Sequence, residues 1–266
     1  QIKQLYKKRI TYNQMKQHTI SLILFAIAAM TTIAAKAENF TITEGKWAIT
    51  YDESEKGLAI DYDGRRIFNN TYASIQYNKK GSGSTSTFRT GSVSLKPTIT
   101  SYNVNDEQGT GKSYQFAYNK NGVTLKQLFT FYSNKPYLIV SATLAGDEGT
   151  EIESRQMIAF ATANESTPFN GENNRVLWVP FDNDGHVKYK NRTLTDKSEN
   201  ISHEVTAIFD GDSRYGLVVG SIDHDTWKSG IKTKGTDGNK LTVLQCISGH
   251  TSSDTRDIRN HGKISG

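Results

Sequence analysis

Short stretches in which apolar and polar residues alternate recur along the chain from Phe40 onward, and Gly, Asn, Asp and Ser separate them. They are rich in Val, Ile, Thr, Tyr and Phe, and no stretch long enough for a helix has its apolar residues at helical spacing. In two segments the apolar residues fall in phase on one side of an extended chain, which indicates one buried face. These sets are Leu138, Val140, Ala142 and Leu144, and Val123, Leu125, Phe129 and Phe131.

The pattern predicts some fourteen strands and no helix, which favours an all-β fold, a large antiparallel β-sandwich. Asp63-Gly64 and Asn121-Gly122 each separate two such strands and predict tight hairpin turns, whereas 81–87 reads as a flexible loop. The predicted strands are 40–43, 47–52, 57–63, 65–68, 72–78, 92–104, 113–119, 123–133, 137–145, 151–163, 175–181, 203–209, 215–223 and 240–247.

The positive charge of the chain is confined to its beginning. The whole sequence has 32 Lys and Arg against 27 Asp and Glu, a net charge of +5, which alone would suggest a nucleic-acid or anionic partner. Residues 1–37 hold six of the basic residues and no acidic one, so that 38–266 have 26 basic and 27 acidic residues, a net charge of −1. The body therefore has no basic stripe, and we expect no nucleic-acid partner.

The first residues have the layout of an export signal. Met15 starts a segment with a cationic beginning, an apolar run from Ile20 to Met30 and the small residues Ala35 and Ala37 before Glu38. We interpret 15–37 as a signal peptide, 1–14 as an upstream or mis-annotated leader and 38–266 as one β-sandwich domain, truncated at its C-terminus. The alternative is an N-terminal membrane anchor, but the run is short for a span, and no cysteine near the cleavage point offers a lipid site. A secreted or periplasmic location follows.

The first candidate site follows an apolar strand. Asp182 and Asp184 lie close together in the segment 178–189, where carboxylates would bind sugar hydroxyls and Trp178 would offer a stacking platform. The alternatives are an ordinary turn rich in Asp and Asn, or a calcium loop, although the spaced ligands of an EF-hand are absent.

The second candidate site lies after the strand 215–223. His224 and Trp227 would bind a polyol there, the indole against the apolar side of a sugar ring and the polar groups on its hydroxyls. The alternative is a turn that ends the strand, with Trp227 filling the core.

Other chemistry has little support in the sequence. There is no HExxH zinc motif, no phosphate-binding glycine loop and no GxSxG nucleophile motif, so we expect neither a metal nor a cofactor. Cys246 is the only cysteine and lies in an apolar stretch, which is typical of a small buried hydrophobe.

Several phrases in the second half of the chain resemble one enzyme family. They are 177–184 (LWVPFDND), 203–210 (HEVTAIFD), 217–221 (LVVGS) with 224–228 (HDTWK), 255–257 (TRD) and 261–262 (HG). The sequence is similar to the N-terminal β-sandwich region of secreted α-galactosidase-like enzymes (melibiases, glycoside hydrolase clan D), particularly those of polysaccharide-degrading Bacteroidetes.

The resemblance implies a supersandwich of the galactose-mutarotase type followed by a (β/α)8 catalytic barrel. In that family two barrel aspartates act as nucleophile and general acid/base, and no strand–helix alternation that would form such a barrel occurs in this sequence. We therefore expect no catalytic residue here, and expect Asp182, Asp184, His224 and Trp227 to contact substrate from sandwich loops. The alternative is a stand-alone carbohydrate-binding or surface-interaction β-sandwich.

Overall fold

The computed structural model describes residues 31–32, 39–54, 57–91, 95–162, 171–180, 188–194, 199–222, 228–236, 240–249 and 263–265. Within these ranges the chain forms nineteen strands and no helix. Accordingly, none of the described residues belongs to a helix that would cross a membrane. The all-β prediction is confirmed.

The strands form three antiparallel sheets, and their bounds are as follows. In chain order they are β1 (Thr31–Thr32), β2 (Phe40–Glu44), β3 (Trp47–Asp52), β4 (Gly57–Tyr62), β5 (Arg65–Lys79), β6 (Thr85–Arg89), β7 (Thr98–Asp106), β8 (Gly109–Lys120), β9 (Val123–Tyr132), β10 (Leu138–Gly146), β11 (Glu151–Thr162), β12 (Asn174–Trp178), β13 (Lys190–Thr193), β14 (Asn200–His203), β15 (Val205–Asp210), β16 (Gly216–Gly220), β17 (Lys228–Gly235), β18 (Leu241–Gly249) and β19 (Lys263–Ser265).

The largest sheet has ten strands and connects the two halves of the chain. Its main path is β14-β17-β18-β11-β5-β4-β3-β2, with β19 on β11 and β6 on β5. At its centre β5 pairs with β11, from Ile152 opposite Lys79 to Thr162 opposite Thr71. The strands on one side of this pair come from the beginning of the chain, and those on the other side from its end.

Two smaller sheets lie side by side on one face of the ten-stranded sheet. The five-stranded sheet has the order β1-β7-β8-β9-β10, and the four-stranded sheet has the order β13-β12-β15-β16. One continuous core joins all three sheets: Phe116 and Phe129 come from the five-stranded sheet, Val176 and Ile208 from the four-stranded sheet, and Ile60 and Leu244 from the ten-stranded sheet. The fold is therefore a two-layer sandwich in which two sheets share one layer.

A buried polar contact fixes the two layers where a strand is irregular. Gln127 is fully buried in the apolar face of β9, between Leu125 and Phe129. Its Nε2 donates to the carbonyl oxygen of Ala159 at 2.9 Å, and Ala159 lies at a register shift of β11. The irregularity leaves this carbonyl available to the facing sheet, so the bond offsets part of the cost of burying the amide.

The predicted turns and the predicted face of β9 are confirmed. On the predicted face of β10 only Leu144 is buried, while Leu138, Val140 and Ala142 are partly buried against the core. Val123, Leu125, Phe129 and Phe131 are at most 4% exposed. In both predicted hairpins the first turn residue has positive φ, 51° at Asp63 and 54° at Asn121, and the following glycines are at 74°. Two successive positive φ values define the turn whose twist matches that of the flanking strands.

Two predicted segment boundaries are wrong because strands continue through them. The predicted strands 65–68 and 72–78 form the single strand β5, since a bulge lets the ladder to β4 resume after a register shift. The predicted loop 81–87 is shorter than expected, because β6 begins at Thr85 and pairs with β5.

Other predicted elements begin late or were missed. Of the predicted strand 92–104, residues 92–94 lie outside the described residues and 95–97 are not in a strand. The strand begins at Thr98, directly after Pro97, which has no N–H to donate to a ladder. Strands β13, β14 and β17 have the sequences KNRT, NISH and KSGIKTKG. Polar and glycine residues dominate them, so they carry no apolar alternation. The strand β1 lies inside the predicted signal peptide and pairs with Ser101 and Thr100 of β7.

We expect Gly122→Ala to destabilise the protein by about 1–2 kcal/mol, because an alanine side chain disfavours the positive φ of this turn. A Cβ at Gly122 would approach no atom closer than 3.6 Å, so the loss reports backbone strain alone. Urea unfolding followed by fluorescence measures it.

The matched control is Gly83→Ala, where an added Cβ meets no atom within 4 Å and no positive φ occurs. This variant should be as stable as the wild type or slightly more stable. Equal losses in the two variants would contradict a strained turn at Gly122.

Candidate functional site

The four residues predicted to contact substrate lie outside the described residues. Asp182 and Asp184 belong to 181–187, and His224 and Trp227 belong to 223–227. The strands on either side of these two segments are described, however. Residues 181–187 connect β12 to β13, and 223–227 connect β16 to β17.

The strand pairing brings the roots of both segments to one end of the four-stranded sheet. Trp178 at the end of β12 pairs with Lys190 at the start of β13, while Gly220 at the end of β16 pairs with Val205 at the start of β15. Because β15 lies between β12 and β16, the two roots are separated by two strand spacings, about 10 Å. We call this edge the loop end of the four-stranded sheet.

Hydrogen bonds hold the first root against its neighbours. The carbonyl oxygen of Leu177 accepts from Thr206 Oγ1 at 2.6 Å and from Ser202 Oγ at 3.2 Å. The carbonyl oxygen of Val179 accepts from the backbone N–H of His203 at 2.9 Å. Ser202 and Thr206 are fully buried, so the chain enters the 181–187 segment from a fixed position.

Trp178 has a structural role at this root that the sequence did not reveal. Its Nε1 donates to the carbonyl oxygen of Ile201 at 2.9 Å. The guanidinium carbon of Arg192 lies 4.3 Å from the centre of the indole ring, and the Lys190 ammonium lies 5.9 Å from it. Arg192 therefore occupies one face of the indole by a cation–π contact, and that face is closed to a sugar ring.

Comparison with solved structures identifies the fold. The α-galactosidase AgaB of family GH36 from Geobacillus stearothermophilus superimposes with a TM-score of 0.52 at 12% sequence identity, over 82% of this chain and 37% of that chain. The fold is that of the GH36 N-terminal β-sandwich region.

A second α-galactosidase of the same bacterium, AgaA, was compared as a variant in complex with 1-deoxygalactonojirimycin. It gives a TM-score of 0.49 at 9% identity, over 79% of this chain and 37% of that one. This chain thus spans little more than a third of the length of either enzyme. No protein-family model matches the sequence, and no curated protein matches it.

Beside the loop end, the two sheets that share a layer leave an open cleft between their edge strands. One wall is β10 and the other is β16, and residues of the ten-stranded sheet such as Met157, Phe160 and Leu244 form its floor. Its volume is about 760 Å³. On its β16 side Val218 and Ile222 are 72% and 65% exposed. We call this feature the β10–β16 cleft.

The only cysteine lies in this cleft and is not activated. Cys246 is half-buried, packs against the core and lines the cleft. Burial raises the pKa of its thiol to about 12. Since the thiolate is the reactive form, this agrees with its interpretation as a small hydrophobe. In the described part of the chain, no three His, Cys, Asp or Glu side chains converge on a point where they would hold a metal ion.

At the opposite end of the four-stranded sheet, Asp210 organises the turn between β15 and β16. Its Oδ2 accepts from Ser213 Oγ at 2.6 Å and from the Ser213 backbone N–H at 2.9 Å. These bonds, the hydroxyl first and the backbone N–H second, lower the pKa of the Asp210 carboxyl below its ordinary value of 3.8. They favour the ionised form, so the turn is held more firmly when Asp210 is charged.

We expect Asp210→Asn to lower the free energy of unfolding at neutral pH and to do so less in acid. Folding lowers the pKa of Asp210, so its carboxylate stabilises the protein fully above the ordinary value of 3.8. This stabilisation is lost as the pH falls through the lower pKa of the folded state. The urea midpoints of wild type and variant should therefore differ at neutral pH and approach each other below pH 3.8.

Ser213→Ala is the matched variant, since it removes the hydroxyl donor and keeps the backbone donor. It should show a smaller loss over the same pH range. A difference between wild type and Asp210→Asn that stays constant with pH would show that the charge of Asp210 has no part in the turn.

Proposed function

We propose that this chain is the non-catalytic, N-terminal β-sandwich part of a secreted glycoside hydrolase that acts on α-galactosides or related glycans. The observation that carries the proposal is the likeness of fold to the GH36 α-galactosidase AgaB over 82% of this chain. The phrases in 177–262 that resemble α-galactosidase-like enzymes point the same way. The apolar run and small residues of 15–37 support export to the periplasm or beyond.

In this proposal the loop end of the four-stranded sheet faces the glycan. Asp182 and Asp184 on one segment, and His224 and Trp227 on the other, would bind sugar hydroxyls and one ring face. The separation of the two roots supports this, because about 10 Å lets both segments reach a single small ligand.

The proposed partner within the same polypeptide is a (β/α)8 barrel that carries the catalytic carboxylates. The β10–β16 cleft supports a docked domain, since monomeric proteins rarely expose a large contiguous apolar surface. An in-frame continuation of the coding sequence by about 300–400 residues, enough for a barrel, would agree with the proposal. A stop codon directly after the codon of Gly266 would favour the stand-alone binding module instead.

We expect the purified 266-residue chain to hydrolyse an aryl α-galactoside no faster than buffer does. The reason is that the two carboxylates of a retaining glycosidase would come from the barrel. Release of the aryl alcohol, followed by absorbance, measures the rate. An active α-galactosidase serves as the positive control, and turnover that co-purifies with the chain would contradict a non-catalytic role.

We expect Trp227→Ala to weaken binding of the α-galactosyl disaccharide melibiose by about tenfold, the effect of losing a stacked ring face. Isothermal titration of the whole chain measures it.

Tyr215→Ala is the control, because Tyr215 is 55% exposed and precedes β16 at the end of the sheet opposite the loop end. Its affinity should match that of the wild type. If the two variants bind equally well, the loop end is not the glycan site.

A further inference from the structure

A second concave surface lies on the other face of the ten-stranded sheet, away from the core and from the loop end. It has a volume of about 390 Å³, within the range of small-molecule sites. Its lining residues come from the three neighbouring strands β3, β4 and β5: Thr50, Asp52, Gly57, Ala59, Arg66, Asn69 and Asn70. We call it the β3–β5 groove.

The floor of the groove is low because the middle strand carries small residues there. Gly57 and Ala59 share the outer face of β4, while Leu58 and Ile60 between and beside them are buried in the core. The cross-strand partner of Ala59 on β3 is Thr50, and that of Gly57 is Asp52. Longer polar side chains thus stand directly beside two positions that have almost no side chain.

A bulge forms the opposite wall. Leu58 pairs with Thr71 and Ile60 pairs with Phe68, so that Ala59 alone faces both Asn69 and Asn70. In a regular strand two successive side chains point to opposite faces, but the extra residue lets both asparagines line the same groove.

Asn70 is held in an uncommon backbone conformation beside the floor. Its φ is 49°, and a Cβ added to Gly57 would lie 1.9 Å from its Oδ1. The glycine therefore admits the amide of Asn70, and no larger residue fits at position 57 without moving it. The close approach fixes the end of the groove.

The charged groups are already oriented. Arg66 Nε donates to Asp61 Oδ1 at 2.6 Å, and its Nη1 donates to Asn69 Oδ1 at 2.9 Å. The guanidinium is therefore held across β4 and β5 rather than moving freely in solvent. The lining has one carboxylate, Asp52, and one guanidinium, Arg66, and the charge of Arg66 is already balanced by Asp61 beside the groove. The groove therefore offers no excess positive charge, which disfavours an anionic ligand.

We propose that the β3–β5 groove binds an uncharged ligand rich in hydroxyl groups, a glycan. Each sugar hydroxyl both donates and accepts, which matches a lining of carboxylate, guanidinium, amide and hydroxyl groups. The choice of a glycan rests in part on the proposed function, whereas the groove itself is independent of it. The site would hold a second stretch of the polysaccharide, away from the loop end.

The test is a titration of the whole chain with melibiose, followed by backbone amide NMR shifts. Binding in the groove should move the amide signals of Gly57, Ala59 and Asn70. Ala59→Leu places a larger side chain in the groove and should raise the apparent dissociation constant obtained from these shifts about tenfold. The matched control is Ala48→Leu, an outward, half-buried alanine on β3 that does not line the groove, and it should bind as the wild type does.

Asn69→Ala provides a variant that adds no bulk and removes the amide that holds Arg66. It should also weaken the groove shifts, and circular dichroism checks that each variant is folded. The proposal is overturned if the three groove amides stay unmoved up to the solubility limit of melibiose, or if Ala59→Leu and Ala48→Leu bind alike.

The same spectra separate this site from the proposed function. Shifts confined to Val179 and Gly220 would support glycan binding at the loop end and overturn the groove site. Shifts confined to the groove amides would support the groove site and contradict glycan binding at the loop end. A response to galacturonate without one to melibiose would overturn the uncharged ligand class.

Discussion

The pairing of β5 with β11 holds the molecule together. These strands are 15 and 12 residues long, the two longest in the ten-stranded sheet, and the chain between them forms the whole hairpin series of the five-stranded sheet from β7 to β10. The two strands of this ladder are far apart in sequence, so bringing them together costs chain entropy before their contacts stabilise the fold. Its irregularities also have a use, because the one at Ala159 frees a carbonyl for the buried amide of Gln127.

Both proposed binding surfaces follow from this frame, although they differ in construction. The loop end depends on strand order. Because β15 lies between β12 and β16, the segments that follow β12 and β16 begin at the same edge of the sheet although they are distant in sequence. The β3–β5 groove depends instead on side-chain size, since small residues on β4 lie between polar side chains on its neighbours. The second surface consists of strand residues whose side chains are already held in place, which lowers the entropy lost when a ligand binds.

The sequence predicts the strands whose apolar residues alternate, such as β9, and the turns whose asparagine or aspartate precedes glycine. It fails for β17, whose buried face consists of serine, glycine and threonine around Ile231, because these residues carry no hydrophobic signal. The sequence does not predict the groove either, since the bulge at Asn69 and Asn70 is defined by pairing with β4 and not by local composition. Asparagine is typical of breaks between strands, so these residues predict two separate strands, 65–68 and 72–78, where the structure has the single strand β5.

The division of one layer into two sheets also affects local unfolding of the protein. Among the described residues, the four-stranded sheet shares no ladder with the five-stranded sheet, and both pack on the ten-stranded sheet through one core. Ladders transmit cooperativity along a layer, so a break in the layer divides the molecule into regions of unequal stability against local unfolding. No residue of β16 is buried, whereas most residues of β9 are, so amide hydrogens of β16 would exchange with solvent before those of β9. Local opening of the four-stranded sheet would then leave the rest of the sandwich folded.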